Sequence, residues 1–193
     1  SDVIGQDILK KNLIEEVQLG KISHAQLFLG NFGFGGLALA VAFAQYILCE
    51  NKQTNDSCGS CPSCHKVASL QHADLHFSFP VVQKDGTTSD TSISHWRDQL
   101  SQPYFNLDSW KNRLEGKTQP IISVSESTKI IQKLSLRSYE GRYKILIMWA
   151  VETMNTQTAN KLLKLIEEPP LNTLIVLLSE DVESMLPTIL SDC

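Results

Sequence analysis

The stretch that decides the fold is QLFLGNFGFGGLALAVAFAQYIL, residues 26–48. It predicts a short apolar strand over residues 26–29, a glycine-rich turn over residues 30–36 and an alanine-rich helix over residues 37–48. Strand, glycine loop and helix in this order form a scaffold in which backbone N–H groups can surround a phosphate at the positive end of the helix. The stretch therefore predicts a phosphate-binding loop, with an ordinary glycine-rich turn as the alternative.

The side chains of this loop depart from those of a working nucleotide site. The pattern G-x-x-x-x-G-K-[ST] uses its lysine to reach the β- and γ-phosphates and its hydroxyl to hold Mg²⁺. Gly30 and Gly35 keep the glycine frame, with Gly33 between them, but Gly36 stands at the lysine position and Leu37 at the hydroxyl position. We therefore expect a loop that keeps the shape of a nucleotide site and has lost its cation and its metal ligand.

Composition is typical of a globular domain. The chain has 193 residues, of which 42% are hydrophobic and 20% charged, enough for one large domain or one domain with a small appendage. A net charge of −4 argues against a free-standing nucleic-acid binder. No apolar run has the length of a membrane span, and the first residues do not resemble a signal peptide. The expected location is the cytoplasm, where cysteines are more often metal ligands than disulfides.

A group of cysteines follows the alanine-rich helix. Cys49, Cys58, Cys61 and Cys64 form the pattern C-x8-C-x2-C-x2-C. A C-x2-C step places two sulfurs on one side of a tight turn, and four thiolates close a tetrahedral structural Zn²⁺ site. We predict a small zinc module over residues 49–66, with reduced free thiols or an iron–sulfur cluster as the alternatives.

The remaining apolar segments alternate between strands and helices. Strands are predicted over residues 121–124, 143–150 and 174–178, and Asn155 is positioned to cap a helix between the last two. The run over residues 143–150 is almost continuously apolar, as in the middle of a parallel sheet covered on both faces. The pattern predicts an α/β fold with a mostly parallel sheet flanked by helices.

Residues 83–118 do not fit this alternation. The segment is polar at first and predicts a loop, and then contains Trp96, Tyr104, Phe105 and Trp110 among charged residues. These aromatic residues indicate either a partner-binding surface or a small satellite core. We favour the satellite core.

Three histidines are candidates for function, and we interpret all three as structural. His24 has no nucleophile with a matching motif nearby in sequence. His72 and His76 could form a metal pair, but four cysteines already complete a metal site.

The motifs and their order resemble the N-terminal AAA+ domain of the bacterial DNA polymerase III clamp-loader subunits, the delta-prime and gamma/tau family. The most specific are the cysteine spacing and NKLLKLIEEPP at residues 160–170. The resemblance covers nearly the whole chain and implies a single P-loop NTPase-like domain over residues 1–193, the N-terminal part of a longer protein, with residues 83–118 as an insertion. The other motifs are VIGQ at 3–6, ISHAQLF at 22–28, the glycine loop, HAD at 72–74 and LPTILSDC at 186–193.

Against this family, the chain lacks the residues that the resemblance assigns to catalysis. An active subunit carries an aspartate for Mg²⁺ and a glutamate for the attacking water at the end of a central strand, where this chain has Trp149 and Ala150. The family's terminal Ser-Arg-Cys motif supplies an arginine finger, and Asp192 stands at that position. Glu152 is the acid nearest the strand end, too far along to replace the pair. No catalytic residue and no bound ATP are expected.

The resemblance implies a non-catalytic, delta-prime-like subunit of a five-membered ring that opens the sliding clamp. The implied partners are the delta and gamma/tau subunits and, indirectly, the clamp and primer-template DNA, with no membrane. Two alternatives remain open: an ATP-binding, gamma/tau-like ATPase subunit whose catalytic residues come from partners, and an unrelated zinc-stabilised α/β interaction protein.

Overall fold

Four parallel strands form the centre of the molecule. The computed structural model of the protein describes residues 5–84, 86–140, 142–181, 183 and 189. The strands are β1 (Ala25–Leu29), β2 (Leu75–Ser78), β3 (Lys144–Trp149) and β4 (Thr173–Ser179). They pair in the order β1-β4-β3-β2, so β4 and β3 lie in the middle and every neighbouring pair is parallel. The α/β fold with a parallel sheet is confirmed.

Helices connect the strands and cover the sheet. Short 3-10 turns lie at Phe32–Phe34, Ser89–Ser92 and Val151–Thr153. Among the described residues, no helix is both long and apolar enough to span a bilayer. The α-helices are α1 (Asp7–Gln18), α2 (Gly36–Leu48), α3 (Pro62–Ala68), α4 (Ile93–Leu100), α5 (Leu107–Arg113), α6 (Val124–Ser135) and α7 (Thr156–Glu167).

Alternate residues of the two central strands face opposite layers of the protein. Every residue of β3 and β4 is buried, as the continuous apolar runs predict. One face packs against α2 through Ile145, Ile147, Trp149, Leu174, Val176 and Leu178. The other packs against α6 and α7 through Leu146, Met148, Ile175 and Leu177. The period of two along each strand thus builds two cores from one sheet.

The predicted strand over residues 121–124 is wrong. Ile121 and Ile122 make only isolated bridges, to Val81 and Met154. The strand cannot continue because Ser123 caps α6, its hydroxyl accepting the Glu126 N–H at 3.5 Å.

The predicted cap of α7 is confirmed, since the side-chain oxygen of Asn155 accepts the Thr158 N–H at 2.8 Å. The apolar side chains of α1 are only partly buried. Leu13 enters the core, whereas Ile8 is 81% exposed.

Three of the four aromatic residues named in segment 83–118 belong to the core between the sheet and α2, so the satellite-core interpretation is wrong. Trp96, Phe105 and Trp110 are buried in the same cluster as the sheet residues. The ring of Trp96 stacks on Phe79 with centroids 4.2 Å apart, and Trp110 meets Phe79 edge-on at 5.3 Å. Because Phe79 directly follows β2, the segment continues the sheet's own core. Tyr104 is 45% exposed.

Buried polar contacts fasten this segment to the rest of the domain. Trp110 Nε1 donates to the Pro80 carbonyl at 2.7 Å. Glu126 on α6 is buried, and its carboxylate accepts the Ser89 N–H at 2.7 Å and the Ser89 hydroxyl. A buried carboxylate without such donors would be costly, so Ser89 and Glu126 fix the segment in place.

Replacing Trp110 with alanine tests whether the segment is part of the main core. The variant leaves a cavity beside Phe79 and Trp96 and removes the bond to Pro80, so we expect a loss of about 3–5 kcal/mol in the free energy of unfolding. Denaturant titration measures the loss, with Asn112→Ala on the exposed face of α5 as the control. A loss below about 1 kcal/mol would show that the segment packs independently of the sheet.

Candidate nucleotide loop and metal centre

The glycine loop lies at the carboxyl edge of the sheet, between β1 and α2. It makes a 3-10 turn at Phe32–Phe34 and enters α2 through Gly35, whose φ of +89° is left-handed and favours glycine. A β-carbon there would also lie 3.0 Å from Cε1 of the Tyr104 ring. Tyr104 of segment 83–118 therefore covers the loop at the end of its glycine frame.

Four backbone donors of the loop are engaged within the protein. Asn31 caps the 3-10 turn, as its side-chain oxygen accepts the Gly33 N–H. A carboxylate oxygen of Glu180 accepts the Phe32 N–H at 2.6 Å. A phosphate would have to displace these acceptors before it could use the donors. The bonds are Gly30 N–H to the Ser179 carbonyl (3.0 Å), Phe32 N–H to Glu180, Gly33 N–H to Asn31 Oδ1 (3.0 Å) and Phe34 N–H to the Asn31 carbonyl (3.0 Å).

Two carboxyl groups lie beside the loop. The Glu180 N–H donates to Oε1 of Glu152 at 3.3 Å, which places Glu152 next to the end of β4. Among the described residues, Oε2 of Glu152 is buried and has no hydrogen-bond partner. Burial raises the pKa of Glu152 above its usual range. Burial thus favours the neutral form of Glu152, and the carboxylate of Glu180 is the group that opposes the binding of a phosphate.

Aromatic rings occupy the end of β3. Trp149 is fully buried, and its ring lies 4.8 Å from Phe32 of the loop and 4.9 Å from Phe105 of segment 83–118. Ala150, also fully buried, follows with a left-handed φ of +58°. Neither side chain can bind a metal or accept a proton. Gly36 and Leu37 begin α2, and a β-carbon on Gly36 would lie 3.5 Å from Leu178.

The four cysteines meet in one cluster. Their sulfur atoms all lie within 4.8 Å of one another, with distances of 3.6 Å for Cys49–Cys58, 4.0 Å for Cys58–Cys64 and 4.0 Å for Cys61–Cys49. Four sulfurs at the zinc–sulfur bond length of about 2.3 Å stand about 3.8 Å apart on the edges of a tetrahedron. The spacing fits a tetrahedral ion and is far longer than the disulfide bond length of about 2.05 Å.

Backbone N–H groups point at the sulfurs. Cys58 N–H donates to Cys49 Sγ at 3.3 Å, Cys61 N–H to Cys58 Sγ at 3.3 Å and Cys64 N–H to Cys61 Sγ at 3.4 Å. Bonds from the backbone of Ser60 and Cys61 lower the pKa of Cys58 to about 6, whereas burial raises that of Cys64 to about 12. The donors favour the thiolate form, which is the form that a metal binds.

The histidines lie outside this cluster. Among the described residues, the group close enough to share a metal ion contains only the four cysteines. His72 Nδ1 accepts the Asp74 N–H at 3.1 Å, and its Nε2 lies 3.2 Å from a Glu140 carboxylate oxygen. His76 is on β2, and burial lowers its pKa. His24 is exposed before β1.

A family comparison identifies the chain. The family model described as DNA polymerase III, delta subunit, matches residues 5–193. The chain belongs to this family. Asp192 and most of the motif at residues 186–193 lie within the family match but outside the described residues.

Curated relatives of this DNA polymerase III family match 97% or more of the chain. Identity is 30% to subunit delta' of Bacillus subtilis, over 97% of this chain and 46% of the relative. It is 28% to subunit tau of Salmonella typhimurium, over 100% of this chain and 24% of the relative. It is 27% to subunit gamma of Buchnera aphidicola, over 100% of this chain and 43% of the relative. The chain thus spans less than half the length of these relatives.

A solved structure shares the fold. It is the crystal structure of a DNA polymerase III, gamma subunit-related protein from Thermotoga maritima, with a TM-score of 0.54 and 17% identity. The match covers 95% of this chain and 43% of that protein.

Sequence reasoning missed Glu180 as part of the loop of this DNA polymerase III domain. The available signal was its position directly after β4, since β4 pairs with β1 and the carboxyl ends of parallel neighbours lie together. Tyr104 and Phe105 gave no such signal, because their place depends on how segment 83–118 folds back.

Replacing Glu180 with alanine tests its contact with the loop. Removing the carboxylate leaves the Phe32 N–H without its acceptor, so local opening should become easier by about 1 kcal/mol. Amide hydrogen exchange measures this, and we expect the Phe32 amide to exchange several-fold faster while the β3 amides keep their protection. Glu168→Ala, after α7, is the control. Unchanged exchange at Phe32 would contradict the contact.

Proposed function

We propose that the chain is a non-catalytic, structural subunit of the DNA polymerase III clamp loader, closest to delta-prime. Its partners would be the delta and gamma/tau subunits and, indirectly, the sliding clamp and primer-template DNA, in the cytoplasm. Residues 1–193 would form a single AAA+-like domain within a longer protein, with residues 83–118 as an insertion. Family membership supports the complex, and the side chains around the loop support the non-catalytic role.

The observation that carries this proposal is the buried Trp149 between Phe32 and Phe105. Phosphoryl transfer depends on a positioned metal ion, a positioned water and cations around the phosphates. At the end of β3, Trp149 stands where the metal-binding acid is needed. In the loop, Gly36 stands where a lysine is needed and Leu37 where a hydroxyl is needed. The resemblance adds Asp192 in the place of the arginine finger.

Glu180 supports the same conclusion from electrostatics. Its carboxylate accepts a loop N–H that would otherwise be free for a phosphate oxygen. An ATP phosphate would meet a like charge at this point, with no lysine nearby in the loop to offset it.

Nucleotide binding by the full-length protein tests the proposal. In titration calorimetry with ATP or ADP, with and without Mg²⁺, we expect a Kd above about 1 mM, a binding free energy weaker than about −4 kcal/mol. An ATP-binding subunit of the same complex is the positive control. Micromolar, Mg²⁺-dependent binding would instead favour the gamma/tau-like ATPase. Failure to co-purify with clamp-loader subunits would favour the zinc-stabilised interaction protein.

We also propose that Cys49, Cys58, Cys61 and Cys64 hold a structural zinc ion. All four ligand positions would be filled by protein, which leaves none for water or substrate and makes the site structural. The sulfur spacing, the N–H groups that point at the sulfurs and the thiolate-favouring environment of Cys58 support this.

Zinc analysis of the purified protein tests the metal. We expect one zinc per chain, lost in Cys61→Ser and retained in Cys193→Ser, the matched control outside the C-x8-C-x2-C-x2-C pattern. Zinc at about 1,000 times its Kd should stabilise the fold by about 4 kcal/mol, measured as the difference in unfolding free energy with and without chelator. Equal zinc content in the two variants, or iron in place of zinc, would contradict the proposal.

A further inference from the structure

The residues that connect α6 to β3 contact both ends of the cysteine module, residues 49–66. Glu140 contacts α3, which carries Cys64, whereas Arg142 contacts the backbone of Cys49 at the end of α2. The four sulfurs can meet one ion only if these two ends keep a fixed separation. The segment between α6 and β3 contacts both ends of the module, so it can fix the distance between Cys49 and α3.

The carboxylate of Glu140 joins three side chains. One oxygen lies 2.5 Å from Lys66 Nζ, and the other lies 3.2 Å from His72 Nε2 and 3.4 Å from the Ser63 hydroxyl. His72 Nδ1 accepts the Asp74 N–H, so the ring proton is on Nε2 and donates to Glu140. The His72 side chain is only 1% exposed, so this bond is shielded from water.

The backbone of Glu140 is in turn fixed to the sheet. The buried carboxylate of Asp74 accepts the Tyr139 N–H at 2.6 Å and the Glu140 N–H at 2.8 Å. The Asp74 carbonyl accepts the Ile145 N–H at 2.8 Å, at the start of the pairing between β2 and β3. The backbone of Glu140 is thus held by the sheet, while its side chain contacts Lys66 of α3.

The other end of the module is held through the Cys49 carbonyl. It accepts from Arg142 Nη1 at 3.3 Å and from Lys52 Nζ at 2.9 Å. Within the module, Glu50 Oε1 accepts from the Ser63 N–H at 3.2 Å and from its hydroxyl at 2.8 Å. Zinc with four thiolates carries a net charge of about −2, which nearby cations such as Lys52, Lys66 and Arg142 would offset.

We propose that Glu140 is a positioning residue for the four-cysteine metal site, acting through Lys66 and His72 to hold α3 at a fixed distance from Cys49. It touches no ligand sulfur, so its effect is on the shape of the site before metal arrives. A site held in its binding geometry loses less conformational entropy when the metal binds. This inference rests on the proposed zinc.

The test compares the metal affinity of the full-length protein with that of its Glu140→Gln variant. Zinc and cobalt(II) affinities are measured by competition with a chromophoric chelator. We expect Glu140→Gln to bind about tenfold or more weakly. Its cobalt absorption spectrum should remain that of a tetrathiolate, because the ligands are unchanged. Glu140→Asp should recover part of the affinity. Glu167→Gln, an exposed acid on α7, is the control and should match the wild type.

The outcomes separate the two proposals. If the wild-type protein binds no stoichiometric zinc, the metal proposal fails and the positioning role fails with it. If the wild type binds zinc and Glu140→Gln stays within about two-fold of it, the positioning role alone is overturned. Should Glu140→Gln fail to fold without metal, His72→Phe removes one donor to the same carboxylate. An affinity within about two-fold of the wild type for that variant also overturns the role.

Discussion

The contact of Trp149 with Phe32 and Phe105 joins three parts of the chain that are far apart in sequence: a central strand, the glycine loop and the segment after β2. Apolar rings at this point need no water and no ion, so they can close the carboxyl edge of the sheet by packing alone. A polar group there would need its own partner. Trp96 and Phe79 extend the contact deeper into the protein. Segment 83–118 therefore packs against the carboxyl edge of the sheet and closes the core there.

The loop beside these rings binds four of its own backbone donors through acceptors of the protein. In a working nucleotide loop the backbone donors stay free until a phosphate arrives. Here Glu180, Asn31 and Ser179 supply acceptors for four of these donors, so this part of the loop is already satisfied. Glycine is still favoured at position 35, because the backbone enters α2 through a left-handed residue there.

The sequence could predict those parts of the fold that depend on neighbouring residues. The continuous apolar runs of β3 and β4, the Asn155 cap and the cysteine spacing all act locally, and each of them is found in the structure. One miss is local, because Ile121 and Ile122 look like a strand but Ser123 caps α6 directly after them. The other misses depend on distant partners. Trp96, Phe105 and Trp110 join the main core because they pack with residues of the sheet and with Phe79 after β2. Glu180 meets the loop because β4 lies next to β1.

The chain contains three tryptophans, and all of them are fully buried in the same core. Trp96 lies 5.3 Å from Trp110 and 5.6 Å from Trp149, close enough for the indoles to share excitation energy. The tryptophan fluorescence of this chain therefore comes from a single site, shielded from water, where the sheet meets segment 83–118. Tryptophan emission reports directly on whether that junction is closed, and no label has to be introduced.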